Sequence, residues 1–348
     1  MGLERYTVTF NPSGKAARVA GGTALLEAAE AAGVSIRFPC GGNGRCGKCK
    51  VLFQQGAPAP TPADKDILNE NELVQGYRLG CRAAISDHSS IYIPDGFKAG
   101  KILAAGATRD VPLKPAITKK FATVAEPSVE DLRSDLCRVL DTMGIERAQT
   151  TIDPEALRAL SGTLRDSGYR VTGVFANGEP IAFEPGDTTG VLYGAAVDIG
   201  TTTVAAYLLD LTTGEQVSVA SAANPQALAG DDVISRISYT TDKPNGLEKL
   251  RSVVVEQINS LLTAVADEAG ISAEEVYEVT VVGNTCMTHL FLGLDPRHLA
   301  QAPYVPVISR GIYTTARETG LAMNRFGRVH VLPNIAGYVG ADNVGVLL

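Results

Sequence analysis

Residues 40–49 read Cys40-Gly41-Gly42-Asn43-Gly44-Arg45-Cys46-Gly47-Lys48-Cys49, and a fourth cysteine returns in Leu79-Gly80-Cys81-Arg82. Five residues separate the first pair, two the second, and 31 lie between Cys49 and Cys81. Three thiols from one wrapping loop and one from a distant segment suit a 2Fe-2S cluster, in which each iron takes two thiolates. Glycines among the ligands let the loop adopt positive φ and bring backbone N–H groups close to the sulfurs. Cys40, Cys46, Cys49 and Cys81 are therefore the candidate metal ligands. The competing readings are disulfides and a zinc site, which usually pairs two C-x-x-C knuckles. Only one knuckle is present and the N-terminus shows no signal-peptide profile, so the iron–sulfur reading is preferred.

The spacing departs from that of plant-type ferredoxins and is similar to the adrenodoxin variant. The flanking sequence agrees with a β-grasp ferredoxin module closing near residue 96. Tyr6–Phe10 alternates as a strand does and Ala16–Ala20 can return beside it. Thr23 is the expected N-cap of an Ala-rich helix carrying Leu25, Leu26 and Ala29, with Gly33 as its stop. Arg37, Arg45, Lys48, Lys50, Arg78 and Arg82 crowd the cysteines in sequence, while Asp64, Asp66, Glu70 and Glu72 form an acidic stretch. These charges are either solvated surface or two docking faces, one for an electron donor and one for an acceptor.

A chain of 348 residues has material for two or more domains. Its net charge of −7 argues against a nucleic-acid partner, and no run of 18 apolar residues offers a membrane span. The cytoplasm is the simplest location. Residues 97–124 read as a connector that lets the cluster module move. Residues 125–190 suggest a small α/β middle domain. There Ser128 and Asp131 resemble a capping box opening a helix with Leu132, Leu136, Val139, Leu140 and Met143 on one face. A second helix starts at Pro154 and a strand covers Tyr169–Phe175. Cys137 reads as a core thiol.

The second informative stretch is Ala195-Ala196-Val197-Asp198-Ile199-Gly200-Thr201-Thr202-Thr203-Val204-Ala205-Ala206-Tyr207-Leu208. It reads strand, tight turn, strand. Asp198 can hold hydrated magnesium, Gly200 admits a close phosphate, and Thr201, Thr202 and Thr203 can donate hydrogen bonds. A plain hairpin with threonines in its turn is the alternative; no G-K-[ST] follows, so this is not a Walker loop. The turn resembles the first phosphate motif of the superfamily of acetate and sugar kinases, heat-shock chaperones and actin. Asn224-Pro225-Gln226, then Gly230-Asp231-Asp232, a long amphipathic helix over Leu247–Ala269 and a strand from Val276 running into Gly283-Asn284-Thr285-Cys286-Met287-Thr288-His289 continue an α/β rhythm. Asp232 joins the candidate nucleotide-binding residues. Cys286 and His289 have no second pair nearby and read as a buried thiol and a helix-face imidazole.

Through N-P-Q, G-D-D-V-I-S-R-I, V-V-G-N-T-C-M-T-H-L and L-P-N-I-A-G-Y-V-G-A-D, nearly the whole chain resembles the reductive activators of corrinoid proteins. The resemblance implies a mixed α+β and α/β multidomain fold: a β-grasp 2Fe-2S ferredoxin domain over 1–96, a linker over 97–124, a middle α/β domain over 125–190 and the first half of an actin-like, ribonuclease H-like ATPase domain over 191–348. It implies ATP-dependent reduction of a corrinoid from Co(II) to Co(I), with the 2Fe-2S cluster, ATP and Mg as cofactors. The implied partners are a corrinoid iron–sulfur protein or corrinoid methyltransferase and an electron donor protein, with a homodimer among the expected assemblies. No second phosphate motif follows Asp198, so a truncated ATPase is expected. Two other readings remain open. One is a 2Fe-2S electron carrier without ATPase activity whose C-terminal region only docks partners. The other is an activator of a different low-potential enzyme, as in the activases of radical dehydratases.

Overall fold

The computed structural model describes residues 4–34, 36, 44–45, 47–94, 112–146 and 152–347. The chain divides into two compact units. The first takes Met1–Ile102, Ala223–Val254 and Gly293–Val305, and the second takes Leu103–Ala222, Val255–Leu292 and Pro306–Leu348.

In the first unit, strands β1 (Arg5–Asn11), β2 (Lys15–Ala20), β3 (Lys50–Gln55), β4 (Tyr77–Leu79) and β5 (Ser89–Tyr92) form one sheet in the order β2-β1-β5-β3-β4. β1 pairs antiparallel with β2 and parallel with β5, as in a β-grasp. Helix α1 (Leu25–Ala31) packs Leu25, Ala28 and Ala29 onto Val8, Phe10, Val51, Phe53 and Ile91. Thr23 is not its cap. Ala24 holds that position without a side-chain bond, because the backbone of 83–85 satisfies the helix start instead. Leu25 N donates to Ala83 O at 3.0 Å, and Ile85 N donates to Thr23 O at 2.8 Å. Short helices α2 (Pro62–Ile67) and α3 (Glu70–Gln75) fill the β3–β4 connection, each opened by a capping box, from Thr61 and from Asn69.

The same unit holds a 3₁₀ turn over Pro225–Ala229, helix α6 (Val233–Asp242) and a 3₁₀ turn over Arg297–Ala300. Arg236 is fully buried here. It donates from Nε to Gly230 O at 3.0 Å and from Nη1 to Gln226 Oε1 at 3.1 Å, and Gln226 in turn reaches Leu250 O. The N-P-Q and G-D-D-V-I-S-R-I motifs thus close on one another as a packing hub.

In the second unit, β6 (Ile117–Thr123), β7 (Arg170–Ala176) and β8 (Glu179–Pro185) make an antiparallel meander. Helices α4 (Asp135–Met143) and α5 (Pro154–Asp166) cover one face through Val139, Met143, Leu160 and Leu164. Two expectations need correction. The connector read over 97–124 contains β6, whose Ile117 and Ala122 are buried although its charged lysines hide the strand pattern. Ser128 and Asp131 close a tight turn instead of opening a helix, and α4 starts at Ser134, whose Oγ accepts from Cys137 N. Asp131 is drawn away by Arg133 and by buried Arg138, leaving Leu132 exposed.

A six-stranded sheet follows, built from β9 (Tyr193–Ile199), β10 (Thr203–Asp210), β11 (Gln216–Ala223), β12 (Val276–Gly283), β13 (Ile312–Thr315) and β14 (Arg328–Val331) in the order β11-β10-β9-β12-β14-β13. β10 runs antiparallel to β9, while β12 is parallel to β9 and β14 is parallel to β12. A meander continued by parallel strands is the ribonuclease H-like arrangement expected of an actin-like half. Helix α7 (Gly246–Ala269) contributes Val255, Ile258, Leu262 and Val265 to the core of this unit. Helices α8 (Thr285–Leu292), α9 (Ala316–Thr319) and α10 (Ala341–Leu347) complete it.

The two sheets of this unit meet around Tyr277 at the start of β12. Tyr277 O–H donates to Glu184 Oε1 at 2.6 Å, and Lys119 Nζ lies 2.6 Å from Glu184 Oε2 and 5.1 Å above the Tyr277 ring. Thr188 also donates to Glu184. Burial, with the Glu184 carboxylate beside it, holds the Tyr277 phenol far above its ordinary pKa.

Candidate functional site

The β3–β4 ladder positions two of the four cysteines. Lys50 pairs with Leu79, Cys49 immediately precedes β3, and Gly80 N donates to Cys49 O at 2.8 Å. Cys49 Sγ and Cys81 Sγ consequently lie 3.3 Å apart as thiols. The hydrogen bond from Cys81 lowers the Cys49 pKa to about 7 against the opposing effect of burial, with backbone N–H groups assisting. Gly44 and Gly47 have φ of +68° each, and a Cβ at either would come within 2.8 Å of Arg82 or Ile67. Two converging thiols, the Cys49 one with a lowered pKa, beside glycines at positive φ, fit an iron–sulfur cluster. Cys40 and Cys46, with Gly41 and Gly42, lie outside the described residues.

The two expected charged faces do not survive in full. Asp64 is completely buried, accepting from Leu79 N and from Thr61 N and Oγ1 at 2.7 Å each, so its carboxylate braces α2 against β4. Arg78 is buried too and donates to the Pro58, Leu73 and Tyr77 carbonyls. Glu72 is engaged by Lys50 and Asn69. Arg45, Lys48 and Arg82 remain exposed near the cysteines.

The 198–203 turn lies between β9 and β10 at the edge where the sheet changes from antiparallel to parallel pairing. A Cβ on Gly200 would sit 2.7 Å from Thr203 O, so the tight turn itself demands glycine. The Asp198 side chain is accessible, yet packing at the strand end desolvates it and, with the Asp342 carboxylate, raises its pKa. Asp342 belongs to the first turn of α10. Asn284, between β12 and α8, donates from Nδ2 to Thr201 Oγ1 at 2.9 Å. Gly340 packs so tightly that a Cβ would lie 2.4 Å from Asn284 Cα. Two acids, a hydroxyl-bearing turn and an amide thus converge from three segments. Sequence reasoning found the first segment and missed Asn284 and Asp342 as site residues; both stand in quoted motifs, Asn284 next to Gly283 and Asp342 two residues after Gly340.

Asp232 falls in the first unit, where its carboxylate caps α6 by accepting from Ser235 N and Oγ at 2.8 Å. Cys286 and His289 are buried in α8. His289 Nδ1 is 2.6 Å from Thr285 O, and Nε2 accepts from Val307 N at 3.0 Å. Both ring nitrogens are engaged, burial pushes the imidazole pKa down, and no metal-holding group of three His, Cys, Asp or Glu occurs among the described residues.

Family models match three successive stretches of the chain. Residues 8–86 match the 2Fe-2S iron-sulfur cluster binding domain, residues 106–190 the RACo linker region and residues 193–348 the RACo middle region. A solved structure titled reductive activator for corrinoid, iron-sulfur protein superposes with a TM-score of 0.63 at 33% identity, covering 98% of this chain and 57% of that one. The chain belongs to the reductive activators of corrinoid proteins. The corrinoid activation enzyme RamQ of Eubacterium limosum is 33% identical over 321 residues, 91% of this chain and 51% of RamQ. This activator-family chain therefore spans about half the length of that curated relative. Its N-terminal module is also similar to one component of the Na(+)-translocating NADH-quinone reductase of Idiomarina loihiensis, 34% identical over 74 residues, 21% of this chain and 18% of that protein. Among the described residues no helix is long and apolar enough to cross a membrane.

Proposed function

We propose that this protein passes single electrons from a donor protein, through a 2Fe-2S cluster, to the cobalt of a corrinoid protein, returning Co(II) to Co(I) in a step coupled to ATP. The observation that carries this reading is the pairing, in one chain of the activator family, of a converging thiol pair with an acid-flanked Asp-x-Gly-Thr-Thr-Thr turn. Cys40, Cys46, Cys49 and Cys81 hold the cluster, which supplies a one-electron couple. The Cys49–Cys81 pair, at the end of the β3–β4 ladder, offers two converging sulfurs. Arg45, Lys48 and Arg82 place positive charge around that loop and steer an acidic partner toward it.

At the nucleotide site, Gly200 keeps the turn narrow and Thr201, Thr202 and Thr203 present hydroxyl donors to phosphate. Asp198, with Asp342 facing it, binds hydrated Mg; burial first and the neighbouring Asp342 carboxylate second raise the Asp198 pKa, and a bound cation would oppose both. Coupling is needed because each 59 mV of one-electron deficit costs about 1.4 kcal/mol, which differential binding of nucleotide and partner can offset. The partner is a corrinoid iron–sulfur protein or corrinoid methyltransferase, and a reducing compartment such as the cytoplasm suits the thiols.

The test is anaerobic. The cluster-loaded full-length protein is mixed with a Co(II) corrinoid protein and a low-potential reductant, and Co(I) absorbance is followed with and without MgATP. Co(I) formed only with MgATP is the expected result. Equal Co(I) formation without ATP, or a reduced cluster with no cobalt response, overturns the proposal in favour of a simple electron carrier.

A further inference from the structure

We infer that the buried Asp64 carboxylate lowers the reduction potential of a 2Fe-2S cluster held by the four cysteines, tuning the site as a strong one-electron reductant. The inference rests on the cluster reading above and deepens it.

Asp64 sits where helix α2, the ligand loop and the Cys81 segment meet. Its neighbours on α2 touch the loop. A Cβ on Gly44 would lie 3.2 Å from Ala63 Cβ, and one on Gly47 would lie 2.8 Å from Ile67 Cγ2. Gly47 stands between Cys46 and Cys49 in sequence. The carboxylate itself reaches β4, where Asp64 Oδ1 accepts from Leu79 N at 2.7 Å. Leu79 O in turn accepts from Arg82 N at 2.9 Å and from Ala83 N at 3.1 Å, closing the turn that carries Cys81. Leu79 and Cys81 are two Cα steps apart, at most about 7.6 Å.

The carboxylate is completely buried. Its Oδ2 accepts from Thr61 N and Thr61 Oγ1 at 2.7 Å each. An ionised carboxylate can only accept, and donors on both oxygens suit that form. Among the described residues no cation pairs with it. Buried Arg78, next to Leu79, directs its guanidinium to the Pro58, Leu73 and Tyr77 carbonyls instead. A negative charge is thus fixed away from water beside the ligand loop. Reduction adds one electron to a site already held by four thiolates, and a neighbouring fixed anion opposes that addition. Exposed Arg45, Lys48 and Arg82 act in the opposite sense, but solvent and salt screen them far more than they screen Asp64. Bracing α2 against β4 needs the hydrogen bonds of Asp64 and not its charge, so a potential separates the two roles.

The test is the midpoint potential of the whole chain after cluster reconstitution, read by anaerobic spectroelectrochemistry, with visible circular dichroism as the control on cluster geometry. Poised at the unsubstituted midpoint, Asp64→Asn is expected to raise the reduced-to-oxidised ratio about 10-fold, a shift of about 59 mV for a one-electron couple. That is the order expected for unit charges roughly 10 Å apart at an effective dielectric constant of about 20. The shift should persist at about 1 M salt, where exposed charges are screened within about 3 Å. Thr61→Val removes a donor from the same carboxylate and keeps its charge, so the brace weakens while the potential stays at or below the unsubstituted value.

A potential in Asp64→Asn at or below that of the unsubstituted protein overturns the inference, as does a rise that vanishes at about 1 M salt. A rise in Thr61→Val overturns it as well, because a merely structural Asp64 moves both variants the same way. Asparagine sets an amide against two backbone N–H groups; where that variant takes up no cluster, Asp64→Ser is read in its place, and Thr61→Val tests the sign independently. A loaded protein whose potential fails these tests leaves the electron-transfer reading standing. Absence of a 2Fe-2S spectrum from the reconstituted unsubstituted protein overturns the cluster reading and this inference together.

Discussion

Glu184→Ala would leave the Lys119 ammonium, whose side chain is 4% exposed, without its counter-charge. It would also remove the acceptor of the Tyr277 and Thr188 hydroxyls. Removing one partner of a buried ion pair costs about 3–5 kcal/mol, because the remaining charge is stranded away from water. The Glu184 side chain retains 20% exposure, and water can refill part of that space, so about 3 kcal/mol is the expected loss. With a urea slope of about 2 kcal/mol/M, the unfolding midpoint should fall by roughly 1.5 M. The assay is urea unfolding followed by far-ultraviolet circular dichroism and by tyrosine fluorescence, since the chain has no tryptophan. Lys119→Met combined with Glu184→Gln removes both charges while keeping an acceptor for Tyr277, and should recover most of the loss. A Glu184→Ala midpoint within about 0.3 M of the unsubstituted protein, or a double variant no better than the single one, would refute the claim that this charge cluster joins the two sheets.

The remaining expectations concern the two sites and the core of the second unit. Cys81→Ser should abolish the visible absorption and circular dichroism of a reconstituted 2Fe-2S cluster; an unaltered spectrum would remove Cys81 from the ligand set. Asp198→Asn should eliminate MgATP binding without loss of stability at neutral pH. A carboxyl whose folded pKa is raised destabilises the fold once pH exceeds its unfolded value, so the amide relieves that cost. His289 is depressed by burial, so the unfolded chain takes up a proton that the folded state refuses, and stability should decline as pH falls below about 6.5. Urea midpoints above and below that pH should differ less in His289→Gln. Gly340→Ala puts a methyl 2.4 Å from Asn284 Cα and 2.5 Å from Thr285 N, and should lower the melting temperature by several degrees; an unshifted melt would show that the loop yields.

How far the sequence discloses this molecule depends on whether a residue's role is local. The β1–β2 hairpin, α5, the 193–210 hairpin and α7 are legible because alternation, a proline start or a long amphipathic period is written in consecutive residues. The start of α1 is not, because the groups that satisfy it come from residues 83–85. Strand β6 is disguised by Lys119 and Lys120, whose ammonium groups reach Glu184 and the Met143 carbonyl across the fold. Charge counting mistakes Asp64 and Arg78 for surface, since nothing local reveals that each is enclosed by hydrogen-bond partners 5 to 20 residues away. At the nucleotide site the turn declares itself through Asp198 and its threonines. Asn284 and Asp342 enter from segments more than 80 residues downstream, and only folding shows which atom each one faces.

The ladder beneath Cys49 and Cys81 has a bearing on electron-transfer rate. Backbone pairing of Lys50 with Leu79 and the Gly80 N–H on Cys49 O fix the main chain from which both side chains rise. Ligands anchored in this way shift little when the metal they hold gains or loses an electron. Nuclear reorganisation at a cluster held here would then be small.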